Sequence, residues 1–157
     1  MATTDDRVGG STPALPVGPD PETITRYIVE AFDDVDWVTV GDGTFFSCNS
    51  EYWPNFATLT TGDEFDQASD LDRPGIFRLN IGLLRPSFDR LVGGQDDPDY
   101  AAFDTVMPHP VYAAQRWVSI INPSTATWES TIKPLLDEAH ELVSARERRK
   151  RERQAGG

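Results

Sequence analysis

The chain has 157 residues, with 26 acidic and 14 basic groups and a formal net charge of -12. This length suits one domain that buries its own core, and the single cysteine excludes an intramolecular disulfide. The acidity disfavours nucleic-acid binding by the body of the chain, and no apolar run approaches the about 20 residues of a membrane-spanning helix. We therefore expect a cytoplasmic protein without membrane contact.

The chain begins with a polar segment that is followed by a capped helix. Residues 1–19 mix Gly, Pro, Ser, Thr and Asp without a hydrophobic period, which predicts a disordered tail. Asp20, Pro21 and Glu22 suit the N-cap and the first turn of a helix. Apolar residues at helical spacing continue to about Asp33, so the domain should begin at residue 20.

Four short segments rich in β-branched and aromatic residues come next, separated by turn residues. They predict strands at 37–40, 44–48, 56–61 and 76–82. In the fourth segment, apolar residues alternate with Arg78 and Asn80, so one face of this strand is apolar and the other is polar. We expect the apolar side of the sheet to be covered and the polar side to be open.

The second half of the chain predicts a short helix at 84–92, a strand at 117–121 and a long helix from about Thr125 or Thr127. Residues 100–107 are ambiguous, and their apolar spacing also suits a helical turn. Pro134 should kink the long helix or mark its true start. Strands joined by short turns pair antiparallel. The predicted fold is therefore α+β, a two-layer sandwich of a mostly antiparallel sheet with helices on one face. We place the domain at residues 20–145 and a basic tail at 146–157.

Polar and aromatic residues around the fourth and last strands form the candidate ligand site. Arg78 and Asn80, together with Tyr112, Gln115 and Trp117, could line a pocket for an acidic or planar ligand. The alternative is that the two amide side chains satisfy loop backbone groups and that the indole belongs to the core. Either way, these residues are the ones to test.

His109 completes the candidate site, because the prolines on either side of it restrict its backbone. A fixed imidazole could act as a base or a metal ligand, but we favour a rigid loop capped by an imidazole hydrogen bond. We interpret His140 as a helix-surface residue. The spacing of His and Cys residues predicts no metal site, and we predict no cofactor. The acidic segment 69–75 is interpreted as a turn in which Asp72 pairs with Arg73 or Arg78.

The basic segment 146–153 carries six basic and two acidic groups, a net +4, whereas the rest of the chain sums to -16. Such a segment could bind nucleic acid, but more often it is a solubilising helix end. A small molecule or a protein is therefore the expected partner.

Two long motifs resemble a known family. The first is the segment 68–75 leading into 77–82, and the second is the segment 107–112 followed by 117–120 and Asn122-Pro123. Over about residues 22–150, the chain resembles an uncharacterised bacterial family, domain of unknown function 6194. The family has no established activity, so the resemblance does not indicate a function. More loosely, the strand, Asn-Pro and C-terminal helix are similar to the MmcQ/YjbR group. That resemblance implies a CyaY-like two-layer sandwich, and DNA binding has been suggested for the group.

The leading hypothesis is a non-enzymatic cytoplasmic module that binds a small molecule or a protein partner through the surface around Arg78, Asn80 and His109. One alternative is a small enzyme with His109 as general base. The other is nucleic-acid binding through the basic tail.

Overall fold

The structure, a computed structural model, describes residues 14–156. Its strands are β1 (Asp36–Val40), β2 (Gly43–Ser47), β3 (Asn55–Thr60), β4 (Arg78–Gly82), β5 (Met107–Pro108) and β6 (Trp117–Ile121). Its helices are α1 (Pro21–Ala31), α2 (Arg85–Val92) and the C-terminal α3, which comprises an α-helical turn (Thr125–Thr127), a π-helical segment (Trp128–Ile132) and a long α-helical part (Lys133–Gly156). A 3-10 turn covers Ala113–Gln115.

The six strands form one antiparallel sheet in the order β1-β2-β3-β4-β6-β5. The first four strands follow one another as a meander, because the short connections let successive strands pair directly. The chain then passes through α2 and a longer loop before β5 and β6 add to the far edge. The predicted α+β class and the antiparallel sheet are confirmed.

The main core lies between the sheet and the helices. Ile24 and Ile28 are four residues apart on α1 and fully buried, and Leu136 and Ala139 are fully buried on α3. These side chains belong to one apolar cluster with residues of β2, β3, β4 and β6. Burial of each large aliphatic side chain contributes about 1.5–3 kcal/mol. Helices from both ends of the domain therefore cover the same sheet face, as the predicted two layers require.

Local sequence signals determine where the helices begin. Asp20 accepts a hydrogen bond from the Thr23 N–H at 2.8 Å, as an N-cap does. Within α3, the Lys133 N–H donates to the Trp128 carbonyl five residues back, which widens the helix immediately before Pro134. Proline has no N–H to donate, and its ring clashes with the carbonyl four residues earlier in an α-helix. Pro134 accordingly lies at the start of the long α-helical part.

The other face of the sheet is also covered, so the expectation of an open face is wrong. Leu71, Ile76, Met107 and Ile121 are buried together there, and Tyr100 and Phe103 pack against them. Alternation along β4 correctly assigned polar residues to this face. It could not show that the loops between β3 and β4 and between α2 and β5 carry apolar residues across it.

The ambiguous segment 100–107 does not form the helical turn that its apolar spacing also suits. Asp104 adopts a positive φ of 54°, which interrupts any helix, and its N–H donates to the Ile121 carbonyl at 2.7 Å. The chain then forms β5, in which Met107 pairs with Ser119 of β6. Backbone pairing with β6 therefore prevails over the helical spacing of the apolar residues.

The predicted tails lie at the limits of the described chain. Disorder was predicted for residues 1–19, of which residues 1–13 lie outside the described residues. Within the described part of this segment, the Val17 carbonyl accepts a hydrogen bond from the Thr125 N–H at 2.9 Å. The basic segment 146–153 continues α3 as a helix. Across residues 14–156, none of the helices combines the length and the apolar character needed to cross a membrane.

Candidate functional site

Arg78 projects from β4 into the layer between the sheet and its covering loops, where only 1% of its surface is exposed. Its Nη1 and Nη2 atoms donate to the two carboxylate oxygens of Asp66 at 3.0 and 2.6 Å. Nη1 also donates to Ser69 Oγ at 2.9 Å, and Nε donates to Asn80 Oδ1 at 2.9 Å. The guanidinium is thus held by a bidentate ion pair and two neutral acceptors.

Asp66 was not expected to be the partner of this arginine. The sequence interpretation paired Asp72 with Arg73 or Arg78, whereas Arg73 lies 3.4 Å from an oxygen of Asp70. Hydrogen bonds from Arg78 hold the pKa of Asp66 below its usual value. The buried positive charge therefore faces an ionised carboxylate at neutral pH.

Asn80 links the arginine to the neighbouring strands. Its amide nitrogen donates to Thr58 Oγ1 at 2.9 Å, and its carbonyl oxygen accepts from Ser119 Oγ at 2.7 Å. The side chain of Asn80 thus satisfies other side chains, and not loop backbone groups. Since Arg78 and Asn80 have their polar groups engaged inside the domain, a ligand could reach them only if the covering loop moved.

His109 is 5% exposed and adjoins this network. Its Nδ1 accepts hydrogen bonds from the backbone N–H groups of Val111 at 2.9 Å and Tyr112 at 3.0 Å. The imidazole therefore caps this loop, which is the arrangement that the sequence analysis favoured. Burial, reinforced by the positive charge of Arg78, lowers the pKa of His109 to about 4. The imidazole is therefore neutral at physiological pH.

The tautomer of His109 follows from these bonds. Since Nδ1 accepts two N–H groups, the single proton of the neutral ring is on Nε2. A neutral ring in this state has no free lone pair to accept a proton, which argues against a general-base role. Within the described chain, no acceptor is hydrogen-bonded to Nε2.

The remaining predicted site residues lie nearer the surface. Tyr112 is 55% exposed, Gln115 is exposed and Trp117 is half-buried. The indole of Trp117 packs over Gly82, where an added Cβ would lie 2.9 Å from Cε2. The candidate set therefore divides into a buried part and a surface part, which His109 connects through its bonds to the turn.

A protein-family model described as a family of unknown function, DUF6194, matches residues 19–153. The chain belongs to this family. The match begins one residue before the Asp20 N-cap and includes the whole sheet and the basic segment. No curated protein matches the chain, and no solved structure matches it. The looser resemblance to the MmcQ/YjbR group stays a prediction.

Two grooves of this DUF6194 domain lie away from the candidate residues. One, of about 420 Å³, lies between α1 and strands β1 to β3 and is lined in part by Trp37. The other, of about 450 Å³, is lined in part by Pro74 and Asn122. Neither groove is lined by any of the six candidate residues. The pocket predicted around Arg78 therefore does not coincide with either groove.

The interpretation of His140 as a helix-surface residue is wrong. Its side chain is 13% exposed, its ring stacks on Phe32 with centroids 4.2 Å apart, and its Nε2 lies 2.5 Å from Asp34 Oδ1. One sequence signal could have shown this, since His140 lies four residues after Leu136 and three before Val143 and so falls on the apolar stripe of α3. No local signal points to Asp34, which lies 106 residues away.

The basic segment is partly neutralised by its own helix. Arg148 Nη2 lies 2.9 Å from Glu141 Oε2, and Arg151 Nε lies 3.5 Å from Glu147 Oε2. The Arg148–Glu141 pair is exposed on both sides and therefore contributes little to stability, whereas Glu147 is mostly buried. Nucleic-acid binding through this segment stays a prediction.

Proposed function

We propose that this DUF6194 domain is a non-enzymatic cytoplasmic binding module that takes a protein partner on the turn formed by residues 111–115. One observation carries the proposal. Buried His109 accepts the N–H groups of both Val111 and Tyr112, whose side chains are 53% and 55% exposed. A reducing cytoplasm suits the free thiol of Cys48.

Fixing an exposed tyrosine beside an exposed valine favours protein binding for two reasons. Tyrosine is enriched among the residues that contribute most to protein interfaces, because its ring buries a large area at a small entropy cost. A turn that is already ordered also loses less conformational freedom when a partner binds. The Arg116 N–H closes the turn by donating to the Ala113 carbonyl at 2.9 Å.

A protein partner is favoured over a small molecule because neither of the two grooves lies at this turn. Small molecules bind in concave sites that enclose most of their surface, and the two grooves described above lie elsewhere. In this proposal, Arg78 and Asn80 hold the underlying strands and do not touch the partner.

The test is quantitative binding of the purified protein to partners captured from a cell extract. We expect Val111→Ser with Tyr112→Ala to weaken capture at least about tenfold, as the loss of interface anchors does, without lowering the melting temperature. Trp37→Ala is the matched control, because Trp37 is also a partly exposed aromatic residue but lines the groove beside α1. It should leave capture unchanged.

Two results would overturn the proposal. In one, the double variant captures every partner as well as the wild type does. In the other, only Trp37→Ala loses capture, which would transfer the binding function to the groove.

A further inference from the structure

A second group of chemically versatile side chains lies away from His109, where three parts of the chain meet. Asp34 follows α1, Cys48 follows β2 directly, and His140 belongs to α3. One potential ligand atom of each residue lies within 4.8 Å of the other two. The residues are far apart in sequence, so the fold alone brings a carboxylate, a thiol and an imidazole together.

The imidazole and the carboxylate are held in defined orientations. His140 Nε2 lies 2.5 Å from Asp34 Oδ1, and Ser144 Oγ donates to Asp34 Oδ2 at 2.7 Å. Phe32 stacks on one face of the ring, and the Phe56 ring lies edge-on to it with centroids 5.3 Å apart. Packing on the ring and the hydrogen bond from Ser144 are contacts of the kind that orient metal-binding residues, whereas the bond between Nε2 and Oδ1 would be replaced by bonds to the ion.

The group is buried on one side and open on the other. Cys48 is buried in the main core, whereas the Asp34 side chain is 35% exposed. An ion could therefore enter past the carboxylate and reach the thiol. Three protein donors with one side open to water is the arrangement that zinc ions adopt where they retain an exchangeable ligand.

We propose that Asp34, Cys48 and His140 form a binding site for a borderline divalent transition-metal ion of the Zn²⁺ class. One sulfur, one nitrogen and one oxygen donor suit Zn²⁺ and Co²⁺ and are poorly matched to Mg²⁺ or Ca²⁺, which prefer oxygen donors alone. The site is separate from the turn at 111–115, and its existence does not depend on the proposed partner.

Bond lengths show how far the side chains must move. Zinc binds sulfur at about 2.3 Å and nitrogen or oxygen at about 2.0 Å, so donors on one ion lie about 3.5 Å apart. Asp34 and His140 would separate by about 1 Å, and the sulfur would approach by up to about 1.3 Å. Changes of side-chain rotamer can provide such movements without refolding the backbone.

Charges around the thiol determine how binding depends on pH. Burial raises the pKa of Cys48 to about 12, and the nearby carboxylates of Asp34, Glu147 and Asp36 act in the same direction against a smaller effect of Arg151. The thiol is therefore protonated without metal, and binding replaces the S–H proton by an S–metal bond with release of the proton to water. The proton between His140 Nε2 and Asp34 Oδ1 moves to Nδ1 of the imidazole when Nε2 binds the ion. Affinity should rise about tenfold per pH unit while one proton is released.

The experiment is a titration of the full-length protein with Co²⁺, followed by ultraviolet and visible absorption. Because Cys48 is the only cysteine, a thiolate-to-cobalt charge-transfer band can arise from no other residue. We expect the absorbance of this band to stop increasing at one equivalent of Co²⁺ per chain. The band should disappear when Zn²⁺ is added. Zn²⁺ should also raise the melting temperature of the wild type, since it binds the native state.

Three variants locate the site. Cys48→Ala should lose the band, and His140→Gln, which can still donate to Asp34, should weaken Co²⁺ binding at least about tenfold. His109→Asn is the matched control, because it removes the other histidine of the chain. It should bind Co²⁺ like the wild type, and circular dichroism checks that each variant is folded.

The proposal is overturned if the wild type shows no charge-transfer band in a large excess of Co²⁺. It is also overturned if His140→Gln binds Co²⁺ as tightly as the wild type does. In either case, the three residues would be a hydrogen-bonded Asp–His pair and a core thiol that lie next to each other.

Discussion

Replacing Asp66 by Asn tests whether the network around Arg78 stabilises the domain. The substitution keeps the shape of the side chain but removes the negative charge opposite a guanidinium that is 1% exposed. Ser69 Oγ and Asn80 Oδ1 remain as neutral acceptors. Leaving a buried charge without its counterion costs about 3–5 kcal/mol. In a domain of this size, that loss corresponds to a melting temperature lower by about 6–20 °C.

Asp70→Asn is the matched control for Asp66→Asn. It is the same chemical change in the same loop, but Asp70 is exposed and its ion pair with Arg73 lies at the surface. Exposed pairs contribute about 0–1 kcal/mol, and asparagine tolerates the positive φ of 54° at this position. Urea unfolding at pH 7 gives both free energies.

The pH dependence adds a second check on the same ion pair. Because the pKa of Asp66 is lower in the folded state, the stabilisation is present above about pH 4 and is lost as the pH falls through the folded-state pKa. Asp66→Asn should lack this component of acid destabilisation. Equal free energies of unfolding for the Asp66 and Asp70 variants would refute the reasoning, since burial would then not decide the cost of the missing charge.

Three further predictions concern other parts of the domain. The pKa of His109 falls from 6.5 to about 4 on folding, so the unfolded chain binds the proton first. Acidification from pH 7 to pH 5 should therefore lower the unfolding free energy of the wild type by about 2 kcal/mol relative to His109→Asn. Urea unfolding at both pH values measures this, and an equal change of the unfolding free energy in both proteins would contradict it. Gly82→Ala should displace the Trp117 indole, cost about 1–3 kcal/mol and shift the tryptophan fluorescence; an unchanged spectrum and stability would exclude this packing. Ser124→Ala removes the side-chain acceptor of the Thr127 N–H at the start of α3 and should cost about 1 kcal/mol in thermal unfolding, so an unchanged melting temperature would show that the cap is dispensable.

Local patterns predicted the fold because each strand and helix has its own signal. Alternation through β4 separates Leu79 from Arg78, and the helical spacing of Ile24 and Ile28 identifies the inner face of α1. Short-range periodicity is sufficient for features of this kind.

Contacts between distant segments could not be predicted in this way. β5 has two residues and exists because β6 provides backbone partners for Met107 and Pro108. The pairing of Asp66 with Arg78 depends on how a loop folds back over the sheet. From the sequence alone, several other carboxylates in that loop could equally well pair with Arg78. The capped loop at His109 was predictable because its hydrogen bonds span only two or three residues.

Because of the position of Cys48, thiol labelling can measure local opening in the wild-type protein. A thiol reagent attacks only an exposed thiolate, and this thiol is buried with its pKa raised to about 12. Labelling must therefore wait until the corner after β2 opens. Since the chain has no other cysteine, the labelling rate measures how often that corner opens under native conditions. Comparing this rate with global unfolding would show whether the domain opens there first.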